Sequence, residues 1–218
     1  MIIIHNYFAA ISLTIVAMIA WGSWANTQKI AEKNWRFELY YWDKVIGIVL
    51  MSLIGAFTIG SLGSEGRSFL TDISQANTRS IFQAMLGGVL WNAGNLLLVA
   101  AIATAGISVA FPIGGGIAWI VGIMFNYIVI LMDDKVPSEK PLLLWIGVLV
   151  IIIAIFLNGK AYRGLSKVKQ KPSLRGIMLS VMGGLFIAFF YGFVANSLDG
   201  QFVSGGTGNL TPSTAIVF

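Results

Sequence analysis

Asn92 and Asn95 are the residues of this chain whose type and spacing most directly offer chemistry. They stand three apart in Leu90-Trp91-Asn92-Ala93-Gly94-Asn95, inside an apolar run. On a helix that spacing puts both carboxamides on one face, with Gly88 on the same side. Two amides there can bind a polar molecule through its hydroxyl, carbonyl or NH groups. The competing role is adhesion, because asparagines also hydrogen-bond between helices in lipid. The next apolar run holds Phe111-Pro112-Ile113-Gly114-Gly115-Gly116-Ile117-Ala118-Trp119. Pro112 removes a backbone donor, and Gly114, Gly115 and Gly116 weaken a helix further. An interruption in the middle of a membrane helix is the kind of break that marks a transporter site. The same segment also offers Gly114, Ala118 and Gly122 as a small-residue row for close packing. Trp119 falls on the face of Pro112, where its ring can stack on a planar or sugar ring. The alternative is an indole facing lipid.

Asp43, in Tyr40-Tyr41-Trp42-Asp43-Lys44, is the acid nearest a membrane helix. A carboxylate at a cavity mouth can carry a coupling proton if burial raises its pKa. The segment reads equally as an interfacial aromatic belt where a helix starts. Asp133-Asp134-Lys135 reads as a solvated loop.

A short pattern occurs twice. Trp21-Gly22-Ser23-Trp24-Ala25-Asn26 and Tyr191-Gly192-Phe193-Val194-Ala195-Asn196 both read aromatic-Gly-x-x-Ala-Asn, near the ends of the first and sixth apolar stretches. Five stretches separate the copies by start position, and an odd number inverts a repeat across the membrane. Inverted repeats are the architecture of secondary transporters. Trp21, Trp24 and Asn26, with Tyr191 and Asn196, are therefore expected to form symmetry-related gate or cavity elements.

The elements that must position these residues are membrane helices. The chain is 57% hydrophobic and only 11% charged, against about 25% charged for a soluble domain. A spanning helix needs about 20 mostly apolar residues. Stretches 7–26, 45–62, 81–103, 107–132, 142–158 and 174–196 qualify or nearly so, with Pro141 opening the fifth. A seventh begins at Pro212 and is cut off at Phe218, which reads as a fragment of a longer protein. Residues 1–8 carry no Lys or Arg and read as the start of the first helix, not as a removable signal.

Charge sets the expected orientation. Loops after the first, third and fifth stretches hold Lys29, Lys33, Arg36, Lys44, Lys160, Arg163, Lys167, Lys169, Lys171 and Arg175. Those after the second, fourth and sixth hold Arg67, Arg79, Lys135 and Lys140. Ten against four puts the first set in the cytoplasm and the N-terminus outside. The segment 160–175 carries six basic and no acidic residues. It is either a topology anchor or a contact for anionic lipid. The net charge of +5 is spread over short loops and makes no phosphate-binding stripe, so no nucleic-acid partner is expected.

Enzyme chemistry finds no support. There is no Cys and a single His, His5, which excludes a thiolate and a histidine metal cluster or triad. Gly159 and Gly164 have the glycine spacing of a phosphate loop, but Leu165 stands where its lysine belongs and no strand precedes it. No cofactor is expected.

Four segments in order resemble a known family: Trp21-Gly22-Ser23-Trp24, the Tyr41–Asp43 region, the run from Gly87 through Asn95 into Gly106-Ile107-Ser108-Val109, and Asn126-Tyr127 before Asp133-Asp134-Lys135. They resemble the drug/metabolite transporter superfamily, and most of all its ureide permease and glucose/ribose/rhamnose uptake branches. The resemblance covers about residues 15–169. It implies an all-α integral membrane protein of ten helices in two inverted five-helix halves, with proton-coupled uptake of a small polar metabolite. On that footing the chain holds about six and a half helices: residues 1–165 as the first repeat and 166–218 as the start of the second. The stretch 126–133 is a few residues longer than the plant pattern. The departure at Leu165 argues against the nucleotide-binding-like central loop of plant members, and the short centre favours a bacterial protein of the inner membrane.

The expected function is a permease working by alternating access on a sugar such as ribose, rhamnose or glucose, or on a ureide or nucleobase. Asn92, Asn95, Trp119 and the Pro112/Gly114–Gly116 break would line its path, with Asp43 as proton carrier. The rivals are an exporter of the same superfamily and a non-transporting membrane scaffold subunit.

Overall fold

The computed structural model describes residues 1–31, 35–132, 141–165, 173–200 and 205–218, and the side chains of 158 and 162–165 are outside that description. Lys33, Lys135, Lys140, Lys167, Lys169 and Lys171 of the charge pattern, with Asp133 and Asp134, therefore lie outside the described residues. So does the side chain of Arg163.

Among the described residues there are eight helices: α1 Tyr7–Ala31, α2 Phe37–Phe57, α3 Phe69–Gln75, α4 Thr78–Ala105, α5 Ile107–Met132, α6 Pro141–Leu165, α7 Leu174–Ser197 and α8 Pro212–Ala215. Six of them (α1, α2, α4, α5, α6 and α7) are long and apolar enough to cross a membrane. Their surfaces carry large exposed apolar side chains such as Phe8, Met18, Met51, Leu142 and Phe156, which water would penalise and lipid accepts. The chain is a multi-pass membrane protein. Polar caps start several helices: Asn6 Oδ1 accepts the Ala9 N–H, Asn77 Oδ1 the Ser80 N–H and Ser173 Oγ the Gly176 N–H.

Three expectations need correction. The second span starts at Phe37 and ends at Phe57, not at 45–62. The aromatic run Tyr40–Trp42 and the pair Asp43–Lys44 sit in its first turns, where charged residues are tolerated and Glu38 suits the helix N-terminus. The fifth span, expected at 142–158, extends to Leu165. The break at Pro112 is no break, since α5 runs unbroken through it. Pro112 is the sixth residue of α5, so its fixed φ suits the helix and only one intrahelical bond is lost. The short α8 begins at Pro212, where a seventh stretch was expected to start, and extends to Ala215; the short α3 has too few apolar residues to show in a search for spans.

Contacts divide the chain into two compact units, residues 1–85 with 194–218 and residues 86–193, with the boundaries inside α4 and α7. In the first unit α2 contacts α1 and α8, and α3 contacts α8. Ala84, Leu210 and Ala215 form its small core, joined by Ala76, Leu198 and Phe218. Phe57 and Phe69 meet edge to face at 5.0 Å.

In the second unit α5 packs on α6, and glycines let α5 and α7 approach. A Cβ at Gly114 would lie 2.7 Å from Leu98 Cδ1 and 3.0 Å from the Ser180 carbonyl oxygen. The Ser180 hydroxyl donates to the Ala110 carbonyl at 3.1 Å, two residues before Pro112. Gly106, at φ +80°, makes the one-residue turn between α4 and α5 that a side chain would strain.

Candidate functional site

Three groups of polar residues stand out, two in the first unit and one in the second. The first is at the junction of α1 and α2. Here α1 presents Trp24, Thr27 and Gln28, and α2 presents Tyr40, Tyr41 and Lys44. The Lys44 ammonium lies 3.6 Å from the centroid of the Trp24 ring and 5.8 Å from that of Tyr41. That is the attraction of a cation for the negative face of an aromatic ring. Gln28, one turn beyond Trp24, is completely buried. The Tyr40 hydroxyl is 2.7 Å from Thr27 Oγ1, and Thr27 donates to the Trp24 carbonyl at 2.5 Å. Lys44, counted with a loop in the charge pattern, is the eighth residue of α2, about 10 Å along it at 1.5 Å per residue. Asp43, its neighbour, is exposed, as are Trp21 and Asn26.

The second group joins the loop after α2, the helix α3 and the segment after α7. Arg67 is its centre, with a side chain 1% exposed. Its Nε donates to Asp72 Oδ1 at 2.7 Å and its Nη1 to Asp199 Oδ2 at 2.9 Å. Further bonds go to the carbonyls of Gly205 and Asn209. Asp72 Oδ2 accepts from the Thr211 N–H at 2.7 Å and the Thr211 hydroxyl at 2.9 Å. Gln75 donates to the Asn209 carbonyl and accepts from the N–H of Gly208, whose φ is +81°. Ser80 donates to Asn209 Oδ1 at 2.7 Å.

Burial of Asp72 opposes its charge, but the Thr211 N–H, the Thr214 hydroxyl, Arg67 and the Thr211 hydroxyl outweigh it and hold the carboxyl below its ordinary range. Burial also pulls Arg67 down, and the bonds to Asp72 and Asp199 more than restore it, leaving it above its ordinary value. Such a buried, fully bonded triad is a clasp: it fixes a loop and has no capacity left for a ligand.

The third group is in the second unit. Asn95 is buried and donates to the Trp91 carbonyl of its own helix at 2.8 Å, while Asn92 is exposed. The two amides thus differ in surroundings despite their spacing. Gly114 and Gly116 are buried, Gly115 and Pro112 are half-buried, and Trp119 and Tyr191 are exposed. Gly116 packs against Ile155, where a Cβ would come 3.1 Å from Cδ1.

The two copies of the repeated motif also differ. Gly22 faces open space, whereas a Cβ at Gly192 would meet Phe125 Cε1 at 2.8 Å. One detail is common to both. Thr27 donates to the Trp24 carbonyl three residues back, and Ser197 donates to the Val194 carbonyl at 2.6 Å. Each hydroxyl directly follows its motif, so the likeness extends one residue further than the pattern read from sequence. Asn196 is exposed.

Sequence reasoning missed Lys44, Tyr41, Gln28 and the Arg67 clasp. The signal for the first three was an amide and a lysine within the apolar-aromatic register of two adjacent helices. For the clasp there was none: Arg67 and Asp199 are 132 residues apart.

The family model described as ureide permease matches residues 40–180. Ureide permease 2 of Arabidopsis thaliana is 31% identical over 167 residues, 75% of this chain and 41% of that protein. Ureide permease 3 of the same plant is 29% identical over 177 residues, 81% of this chain and 50% of that protein. Probable ureide permease A3 of Vigna unguiculata is 31% identical over 160 residues, 72% of this chain and 41% of that protein. The chain spans between 41% and 50% of the length of these relatives. Their names describe transporters, not enzymes. No solved structure matches the chain.

Proposed function

The chain belongs to the ureide permease family, and on that footing we propose that it carries a ureide across the bacterial inner membrane by alternating access. The observation behind this reading is the family match across 40–180, which takes in all of α5 and α6 and most of α2. A ureide is planar and rich in carbonyl and N–H groups. Aromatic faces and carboxamides suit such a molecule, and each unit has residues of these types, Trp24 in the first and Asn92, Asn95 and Trp119 in the second.

The finer reading is a ten-helix protein of two inverted halves, residues 1–165 and the start of the second at 166–218. The matching hydroxyl bonds of Thr27 and Ser197 support the repeat. The positive-inside count supports an outside N-terminus. Trp21, Trp24 and Asn26, with Tyr191 and Asn196, serve as gate elements. Asn92, Asn95, Trp119 and the segment Pro112, Gly114, Gly115 and Gly116 line the path. Asp43 is the proposed proton carrier, although it is exposed on α2 beside Lys44 and lacks the burial on which the sequence reading of that role rested.

The test is uptake of radiolabelled allantoin, uracil, ribose, rhamnose and glucose by cells expressing the full-length gene, with and without a protonophore. Allantoin uptake that the protonophore abolishes is the expected result. Uptake of a sugar alone would replace the substrate class. No uptake of any, with the protein in the membrane, would overturn the permease reading.

A further inference from the structure

The α1–α2 junction carries an assignment beyond the path residues named above. A charged group in a membrane helix is expensive and is a functional candidate by default. Lys44 is such a group, and it is half-buried, so a ligand can reach it. Its ammonium lies over Trp24, with Tyr41 behind and the buried amide of Gln28 one turn along α1. A cation and two aromatic faces thus meet at one place, while Gln28, completely buried, offers no surface to a ligand.

The chemistry of this group selects its ligand. Ring faces carry negative potential and repel anions, and the exposed carboxylate of Asp43 adds to that. A phosphate or a lipid headgroup is therefore disfavoured despite the ammonium. A neutral planar ring that bears carbonyl groups fits the indole and the ammonium. Its π-face stacks on the indole, and its carbonyl accepts from the ammonium.

We propose that Trp24, Tyr41 and Lys44 form a substrate subsite in which the ligand ring displaces the Lys44 ammonium from the Trp24 face and Lys44 turns to donate to a ligand carbonyl. In the empty site the ring face shelters the charge. In the loaded site the carbonyl does so, and the indole is released for stacking. The exchange keeps the lysine solvated by the protein in both states. This inference rests on the ureide reading of the preceding section.

The experiment is concentration-dependent uptake of radiolabelled allantoin by the full-length protein, for the unaltered chain, Lys44→Gln, Lys44→Arg and Trp24→Leu, each normalised to protein in the membrane. Competition by hydantoin and by imidazolidine, the same ring without carbonyls, is measured alongside. Loss of a charged hydrogen bond predicts KM raised about ten- to a hundred-fold in Lys44→Gln. Lys44→Arg should recover much of it, and Trp24→Leu should also raise KM. The unaltered protein should prefer hydantoin over imidazolidine, and Lys44→Gln should lose that preference. A merely structural lysine would lower membrane levels and leave the preference intact. Unchanged KM and preference in Lys44→Gln would overturn the subsite alone. No allantoin uptake by the unaltered protein would overturn the ureide reading and the subsite with it.

Discussion

Lys44 and Arg67 are basic side chains near the two ends of α2, and the protein holds them in opposite ways. Arg67 is enclosed by two carboxylates and two carbonyls, each within hydrogen-bond distance. Lys44 rests over two ring faces. A guanidinium forks its donors toward carboxylates in a rigid plane, while an ammonium is a compact charge on a flexible stem. The first arrangement is strong and saturated. The second is worth about 0.5–2 kcal/mol and exchanges easily for another partner. One cation therefore fixes a fold, and the other is held by ring faces that a ligand can replace.

The largest effect should come from breaking the clasp. Arg67→Ala leaves Asp72 and Asp199 as buried, uncompensated charges, and removing one partner of a buried pair costs about 3–5 kcal/mol. Thermal unfolding of the purified protein should fall sharply, with less protein in the membrane. Arg67→Lys should recover part of this, because an ammonium cannot span both carboxylates. Full stability in Arg67→Ala would show that the clasp contributes nothing.

Acid provides a second way to probe the same region. The folded-state pKa of Asp72 is depressed below its ordinary value of 3.8. Its contribution is therefore complete above that ordinary value and is lost only as pH falls below it toward the folded pKa. Comparing Asp72→Asn with the unaltered protein by thermal unfolding at pH 7 and pH 5 should give the same difference. A difference that shrinks already at pH 5 would contradict the depressed pKa.

Substitution at the other end should disturb stability less. Lys44→Gln removes a ring-face attraction of about 0.5–2 kcal/mol, a smaller shift in unfolding than for Arg67→Ala. A larger one would recast Lys44 as a second clasp. In the path, alanine at both Asn92 and Asn95 should reduce allantoin uptake at normal membrane levels, and normal uptake would remove both from the path. The smallest effect belongs to Thr27→Val and Ser197→Ala. Ser197→Ala removes one local hydroxyl bond, worth about 0.5–1.5 kcal/mol. Thr27→Val removes the matching bond and the one to the Tyr40 hydroxyl, so it should cost somewhat more in thermal unfolding. An equal cost would show that the Tyr40 bond contributes nothing.

What was legible in the sequence follows from range. Spanning helices announce themselves through runs of apolar residues, so α1, α5 and α7 begin where composition puts them. The start of α2 was misplaced because Glu38, Asp43 and Lys44 resemble a loop when charge alone is weighed, although two turns of helix carry them. Pro112 resembled a break because proline and three nearby glycines each weaken a helix, although the packing of α5 carries the helix through them. The clasp was illegible, since Arg67, Asp72 and Asp199 belong to three segments that only tertiary folding joins. Lys44 was read as a topology charge, and only the Trp24 ring beneath it points to another use.

The most direct test sets the two cations side by side. Allantoin uptake is measured for the unaltered full-length protein, Lys44→Gln and Arg67→Lys, with membrane protein quantified in the same cells. A raised KM at a normal level is predicted for Lys44→Gln, and a reduced level at an unchanged KM for Arg67→Lys. The reverse pattern, or a raised KM in both, would contradict the division between a cation that holds the fold and one that meets the substrate.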